Sequence, residues 1–199
     1  NELKIERLLL RVSAFLGKGE FDEAEKLLLA AEAIDKNNVG LLLEQAKYAL
    51  SQSKYGETNN YLVKLDAVSS GNIDGALTRG MLLLRQGDYK EAVGQFQSVI
   101  LLQANKQFGR HEFSARVGQI QSLLALGELD KAESSIQVFL SRSPDHPIAL
   151  YFEAVVSYDK KDYPKVMDNL HKVLAVMPDH YPSLFLLGAA NFASANYEQ

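Results

Sequence analysis

Apolar and small side chains recur along this chain at intervals of three, four and seven residues. This spacing places them on one face of an α-helix, so each segment has a face that must pack against a neighbour. The pattern therefore predicts a succession of amphipathic helices. Two of these sets are Leu42, Ala46 and Ala49, and Ala76, Gly80 and Leu83.

The helical pattern repeats at a fixed distance. A Gly-Glu-Phe-Asp-Glu-Ala segment beginning at Gly19 returns in altered form through the whole chain. Its aromatic or leucine position is occupied by Phe21, Tyr55, Tyr89, Leu129, Tyr163 and Tyr197, which are 34, 34, 40, 34 and 34 residues apart. One six-residue insertion explains the longer interval. A constant period of this length predicts tandem copies of one supersecondary unit.

The repeated segment has the composition of a turn between two helices. A glycine ends the first helix, acidic residues begin the second, and the ring lies between the helices. Mostly small residues follow the ring at Ala24, Thr58, Ala92, Ala132 and Val166. Pro144 and Pro178 lie at equivalent points of successive repeats and are expected to end the second helices.

These residues resemble the tetratricopeptide repeat. The resemblance implies an all-α, right-handed superhelical solenoid of antiparallel helix pairs, and a protein–protein interaction scaffold. The expected repeats are 5–38, 39–72, 73–112 with the insertion, 113–146, 147–180 and a partial repeat 181–199. Ser53 stands in place of a turn glycine, which departs from the family pattern.

Three short sequence segments resemble segments of bacterial tetratricopeptide lipoproteins of exopolysaccharide and exosortase sorting systems. They are Ala115-Arg116-Val117-Gly118, Leu124-Ala125-Leu126-Gly127 and the segment from Tyr181 to Gly188. The resemblance implies a bacterial, lipid-anchored or periplasmic protein in such an assembly, with the cytoplasm as the alternative.

Composition excludes several other classes. With 21 basic and 25 acidic residues, the net charge of −4 lacks the basic excess of a protein that binds nucleic acid. The absence of cysteine excludes disulfides and thiolate chemistry. No stretch approaches the roughly 20 apolar residues that cross a bilayer. The apolar last repeat, which breaks off at Gln199, leads us to expect further repeats in the natural protein.

The first helices are expected to line a concave groove with positions 6, 9 and 13 of each repeat. In the first four repeats, these positions hold Ser13, Glu44, Lys47, Ser51, Thr78, Met81, Arg85 and Gln121. Lys47 and Arg85 can bind an acidic partner, or remain solvated cations. The family's chaperone clamp needs lysine and asparagine where this chain has Leu10, Glu44 and Thr78, so that function is not expected.

The predicted groove becomes apolar in the last two repeats. Either further repeats cover this end, or it forms an anchor pocket for an apolar peptide or helix, or for a second copy of the chain. The pocket residues are Tyr151, Phe152, Val155, Tyr158 and Phe185.

No cofactor, metal site or catalytic group is predicted. The histidines at 111, 146, 171 and 180 have no helical zinc spacing, and no phosphate loop or nucleophile motif occurs. The insertion near Gln107–Glu112 is either a longer second helix plus a loop or a functional connection. The leading function is therefore partner binding in the groove. The alternative is a structural or regulatory arm of a larger protein.

Overall fold

The computed structural model of the chain describes residues 1–104 and 107–195, with the backbone alone for Ala195. These residues form eleven α-helices and no strand. They belong to two compact units, Asn1–Ala104 and Asn105–Gln199. The predicted last turn at Asn196-Tyr197-Glu198 lies outside the described residues.

The first unit contains three antiparallel helix pairs. Its helices are α1 (Glu2–Lys18), α2 (Phe21–Glu32), α3 (Val39–Ser51), α4 (Tyr55–Val68), α5 (Ile73–Gln86) and α6 (Tyr89–Gln103). Within each pair, the first helix packs on the second, and the first helices α1, α3 and α5 also contact one another in sequence order.

The second unit contains two pairs and one further helix. Its helices are α7 (Arg110–Ala125), α8 (Leu129–Arg142), α9 (Pro147–Asp159), α10 (Tyr163–Val176) and α11 (Tyr181–Ala195). The first helices α7, α9 and α11 make contacts in the same order as those of the first unit. The prediction of an all-α fold built from antiparallel helix pairs is thus confirmed.

Each unit is held together by the apolar faces that the sequence pattern predicts. In the first unit, Leu41, Leu62 and Leu65 are fully buried between the helices. In the second unit, Ile136 and Phe139 of α8 are also fully buried. Burying one such side chain stabilises the fold by about 1.5–3 kcal/mol, so these positions contribute substantially to the packing energy.

The five first helices that are followed by a second helix all end in the same turn. After α1, for example, the amide of Gly19 donates to the Leu16 carbonyl, and the amide of Glu20 donates to that of Phe15. These two hydrogen bonds close the helix, and they require a residue with a left-handed backbone conformation at its end. Gly19 has φ 75°, whereas Ser53 and Lys161 adopt 58° and 61° at the equivalent positions. Serine thus keeps the turn after α3 intact.

Prolines end two of the second helices, as predicted. α8 stops at Arg142 and α10 at Val176, and the residues before the prolines, Ser143 and Met177, are non-helical. A proline ring disfavours helical geometry at the preceding residue, which explains both ends.

The expected boundary between the third and fourth repeats is wrong. We placed it between residues 112 and 113, but α7 already begins at Arg110, with Gly109 as its N-cap. The insertion therefore extends α7 by a turn and lengthens the connection before it. Its ring at Phe108 packs on Phe139, with 5.6 Å between centroids, and so joins the core of the second unit.

The first turn of α7 contributes a buried ion cluster to this unit. The Glu112 carboxylate is 1% exposed. It lies 2.8 Å from the guanidinium of Arg116 and 3.1 Å from that of Arg142. The Arg142 guanidinium also lies 5.7 Å from the Phe108 ring centroid. Residues of the insertion thus have a packing role. The structural interpretation expected a longer second helix, whereas these residues lengthen the first helix α7.

Candidate partner-binding surface

The predicted polar site of the first unit lies on α3 and α5. Met81 is 38% exposed, and Arg85 is exposed without an ion pair to any residue that the structure describes. Lys47 is half-exposed and pairs with Glu44, with 2.7 Å between Nζ and Oε1. Lys47 lies on α3, and Met81 and Arg85 lie on α5, the first helix that α3 contacts next.

The expectation that position 6 faces a groove is wrong. Glu44, Thr78 and Phe152 occupy that position and are 7%, 5% and 5% exposed. A first helix has neighbours on both sides as well as its own second helix, so its accessible stripe is narrower than that of an isolated amphipathic helix. Phe152 is therefore part of the core of the second unit and cannot serve as an open anchor.

The other predicted aromatic residues of the second unit are partly buried. Tyr151 packs edge-on against His180, with 5.0 Å between centroids, and Tyr158 packs against Tyr163 at 5.8 Å. Both tyrosines and Val155 are half-buried. Burial raises the pKa of Tyr151, as expected for a phenol placed against apolar neighbours. These side chains present edges rather than a deep pocket.

The most exposed predicted residue is Phe185 of α11, at 81%. Sequence reasoning placed it at the apolar end, and it missed how far the exposed surface extends along α11. Three neighbours on the same helix are also open, namely Tyr181 at 77%, Leu184 at 45% and Phe192 at 72%. The signal was present, since α11 has apolar residues on all its faces.

A polar network on the other side of the first helices was also missed. Glu153 of α9 accepts hydrogen bonds from Gln137 of α8 and Asn169 of α10, each at 2.9 Å, and pairs with Lys165 at 2.9 Å. Burial acts to raise the pKa of Glu153, but the bonds from Lys165, Gln137 and Asn169 outweigh it and hold the pKa below its ordinary value.

Residues 1–104 and 107–195 contain no group of three or more histidine or acidic side chains placed to hold a metal ion. Over the same ranges, no helix is both long and apolar enough to cross a membrane. His146 and His180 have other contacts. His146 accepts the Ile148 amide at its N-cap, and burial lowers its pKa.

A family model described as tetratricopeptide repeat matches residues 77–138 and 117–165. Residues 77–165 therefore carry tetratricopeptide repeats. The match begins within α5 and ends within α10. Proteins of the tetratricopeptide type are generally non-catalytic scaffolds that bind protein or peptide partners.

Solved tetratricopeptide structures resemble this chain over most of its length. Pseudomonas aeruginosa pilF matches with a TM-score of 0.79 and 15% identity, covering 99% of this chain and 87% of its own. PilW, a type IV pilus biogenesis factor, matches at 0.79 and 14% identity, covering 100% and 90%. YrrB, described as having an unusual peptide-binding site, matches at 0.60 and 21%, covering 89% of each chain. No curated protein sequence matches this one.

Proposed function

We propose that this chain binds an extended or helical segment of a partner protein on the surface of its first helices, the side predicted as a concave groove. The observation that carries the proposal is the stripe formed by Lys47, Met81 and Arg85 on α3 and α5. It combines an accessible thioether with a cation that has no ion pair among the described residues. Such a stripe suits an acidic segment with an apolar side chain.

The pairing of Lys47 with Glu44 is compatible with this role. Its Nζ is partly exposed, and a pair of this kind contributes about 0–1 kcal/mol. A carboxylate of the partner can therefore replace or share the ion pair at little cost. The fold likeness to YrrB, whose description names a peptide-binding site, adds support from analogy of architecture.

Site-specific photo-crosslinking tests which surface is used. A photoreactive phenylalanine analogue is placed at Met81 of α5 or at Val155 of α9, and a matched one at exposed Lys90 of α6. Irradiation in a lysate of the source cells should give adducts from the first two positions and none from Lys90. Adducts from Lys90 alone would contradict the proposed surface.

The charge preference is tested by a double variant, Lys47→Gln with Arg85→Gln. Its affinity for a labelled peptide of six glutamates, followed by fluorescence anisotropy, should fall about two- to tenfold, since each exposed ion pair contributes up to about 1 kcal/mol. The control is Lys36→Gln with Lys90→Gln, which removes two exposed charges outside the stripe. Equal loss in both double variants would show that only net charge matters.

In the second unit, the exposed residues of α11 support an apolar contact, either with a partner or with a second copy of the chain. Phe185, 81% exposed, is the side chain best placed to contribute. Sedimentation at several concentrations distinguishes the two. Self-association that Phe185→Ser abolishes indicates a homo-oligomer, and a monomer at every concentration excludes it.

The setting that we propose for this binding is a bacterial assembly for exopolysaccharide export or protein sorting. Support comes from the resemblance of the sequence segments 115–118, 124–127 and 181–188 to bacterial lipoproteins of such systems. The crosslinked partner should then be a component of such an assembly. A partner from an unrelated cytoplasmic process would remove the proposal and leave the binding surface unaffected.

A further inference from the structure

At one position, the first helices α5, α7 and α9 each hold a side chain that bonds a second helix. In the third pair, Arg79 of α5 reaches α4, where its guanidinium lies 2.6 Å from Asp66 Oδ2 and 3.3 Å from Asn59 Oδ1. In the next two pairs the equivalent residues are Gln119, which accepts from the Ser135 hydroxyl at 2.8 Å, and Glu153, with the three partners given above.

The equivalent residue of the second pair, Gln45, differs from all three. Its side chain is 6% exposed, and within residues 1–104 and 107–195 it forms no hydrogen bond. A largely buried amide that has no protein partner must bond water or a ligand, so the space that Gln45 faces decides what satisfies it.

Gln45 lines a cavity of about 100 Å³. The cavity lies over α3 between α2 and α4, which make no direct contact with each other. In the next pair, the side chain of Arg79 reaches from α5 to α4 at the equivalent position. A volume of this size holds about three waters, or one planar head group of similar dimensions.

The walls of the cavity are acidic and aromatic. Its polar lining residues are Glu25, Glu32, Glu57, Lys54, Tyr48 and Tyr61. Three carboxylates against one ammonium leave a charge of about −2. Burial raises the pKa of both tyrosines, and the nearby carboxylates raise it further, which shows a negative field at the phenols. The carboxylates do not form a group that could hold a metal ion.

We propose that this cavity binds the guanidinium group of an arginine side chain from a partner protein. A guanidinium presents five donors in a plane, stacks on aromatic rings and pairs with carboxylates at its edge. Gln45 Oε1 accepts one donor, Tyr48 and Tyr61 supply aromatic side chains of the wall, and the glutamates neutralise the charge. Arg79, held by a carboxylate and an amide oxygen, shows the same recognition inside this chain.

The site is separate from the stripe on α3 and α5, so it does not depend on the proposed function. Its direct test is a titration of the uniformly ¹⁵N-labelled chain with N-acetyl-arginine amide, with N-acetyl-citrulline amide as the neutral isostere. The arginine derivative should shift the side-chain amide signals of Gln45 with millimolar affinity, and citrulline should not. Equal shifts with citrulline, or equal binding of N-acetyl-lysine amide, would overturn the assignment of a guanidinium.

Two variants locate the site. Gln45→Leu should weaken binding of N-acetyl-arginine amide by at least about tenfold, because a hydrogen bond to a charged group is lost. Binding that survives this change would refute the proposal, and melting data show whether the variant is folded.

Glu32→Gln removes one carboxylate from the cavity rim, and its matched control, Glu6→Gln, removes an exposed carboxylate of α1 outside the cavity. The first should weaken binding about two- to fivefold, and the second should leave it unchanged. If both variants weaken binding equally, the arginine derivative follows net charge only, and the cavity is not its site.

Discussion

The turns that close the helix pairs allow a direct test of how backbone conformation limits stability. Ser53 and Lys161 have φ values of 58° and 61°, where the equivalent positions after α1, α5 and α7 hold glycine. Both side chains are exposed. We therefore predict that Ser53→Gly and Lys161→Gly each stabilise the unit to which they belong.

The expected gain follows from two opposing terms. A residue other than glycine in the left-handed region costs about 1–2 kcal/mol, because Cβ approaches the following carbonyl oxygen. Glycine also has more conformational freedom in the unfolded chain, which stabilises the unfolded state by about 0.4–1 kcal/mol and opposes this gain. The net stabilisation is about 0.5–1 kcal/mol per site. For a unit of this size it corresponds to a rise in Tm of roughly 2–6 °C.

Thermal and urea unfolding followed by circular dichroism measure these changes. Ser98→Gly is the control, since Ser98 lies exposed inside α6 with helical geometry and glycine should destabilise it by about 0.5 kcal/mol. Gly87→Ser should show the reverse of Ser53→Gly. If Ser53→Gly lowers the unfolding midpoint as Ser98→Gly does, the left-handed conformation of Ser53 does not cost what we infer.

Three other predictions concern packing and charge. Gly80→Ala should destabilise the first unit by about 1–2 kcal/mol, because a new Cβ would lie 2.6 Å from Phe96 Cε1. Gly94→Ala has open space around the new Cβ and should stabilise α6 by up to about 1 kcal/mol. Equal effects of the two variants in urea unfolding would contradict this reasoning. Glu112→Gln should lower the free energy of unfolding of the second unit by about 3 kcal/mol, because Arg116 and Arg142 lose their buried counter-charge, and a loss below 1 kcal/mol would show that water replaces the carboxylate. Because the pKa of Glu153 is lowered, its contribution to the free energy of unfolding is present above the unfolded glutamate pKa of about 4.3 and is lost as the pH falls further. Glu153→Gln should therefore make the unfolding midpoint depend less steeply on pH in the acid range. An unchanged pH dependence would contradict this prediction.

Much of the fold could be predicted because its information is local and repeated. The ring at Phe21 and its equivalents, the turn glycines and the prolines each act within a few residues, and the period of 34 multiplies every signal. One repeat that departs from the motif therefore does not change the predicted fold. Ser53 departs from the glycine pattern, yet α3 and α4 pair as the others do, since local strain of about 1 kcal/mol is small against the packing of two helices.

The candidate sites were harder to predict because they depend on what the neighbours leave open. Helical periodicity placed Phe152 and Val155 on one outward face, but the flanking first helices cover Phe152 and leave Val155 half-exposed. Helical periodicity depends on the residues of one helix, whereas the exposure of a side chain depends on the packing of three or four helices. The cavity beside Gln45 was invisible for a related reason. Its walls come from α2, α3 and α4, and only the comparison with Arg79 and Glu153 shows that a partner is missing.

The hydrogen-bonded closure of every pair also bears on how the chain reaches its native state. The turn after α3 is complete once Lys54 bonds the carbonyl of Ala49, five residues back, and pairing joins elements that are adjacent in sequence. Such low contact order favours rapid folding that can start at any hairpin. Helices can therefore assemble during synthesis as they emerge from the ribosome, and an end hairpin can fray without unfolding the rest of its unit.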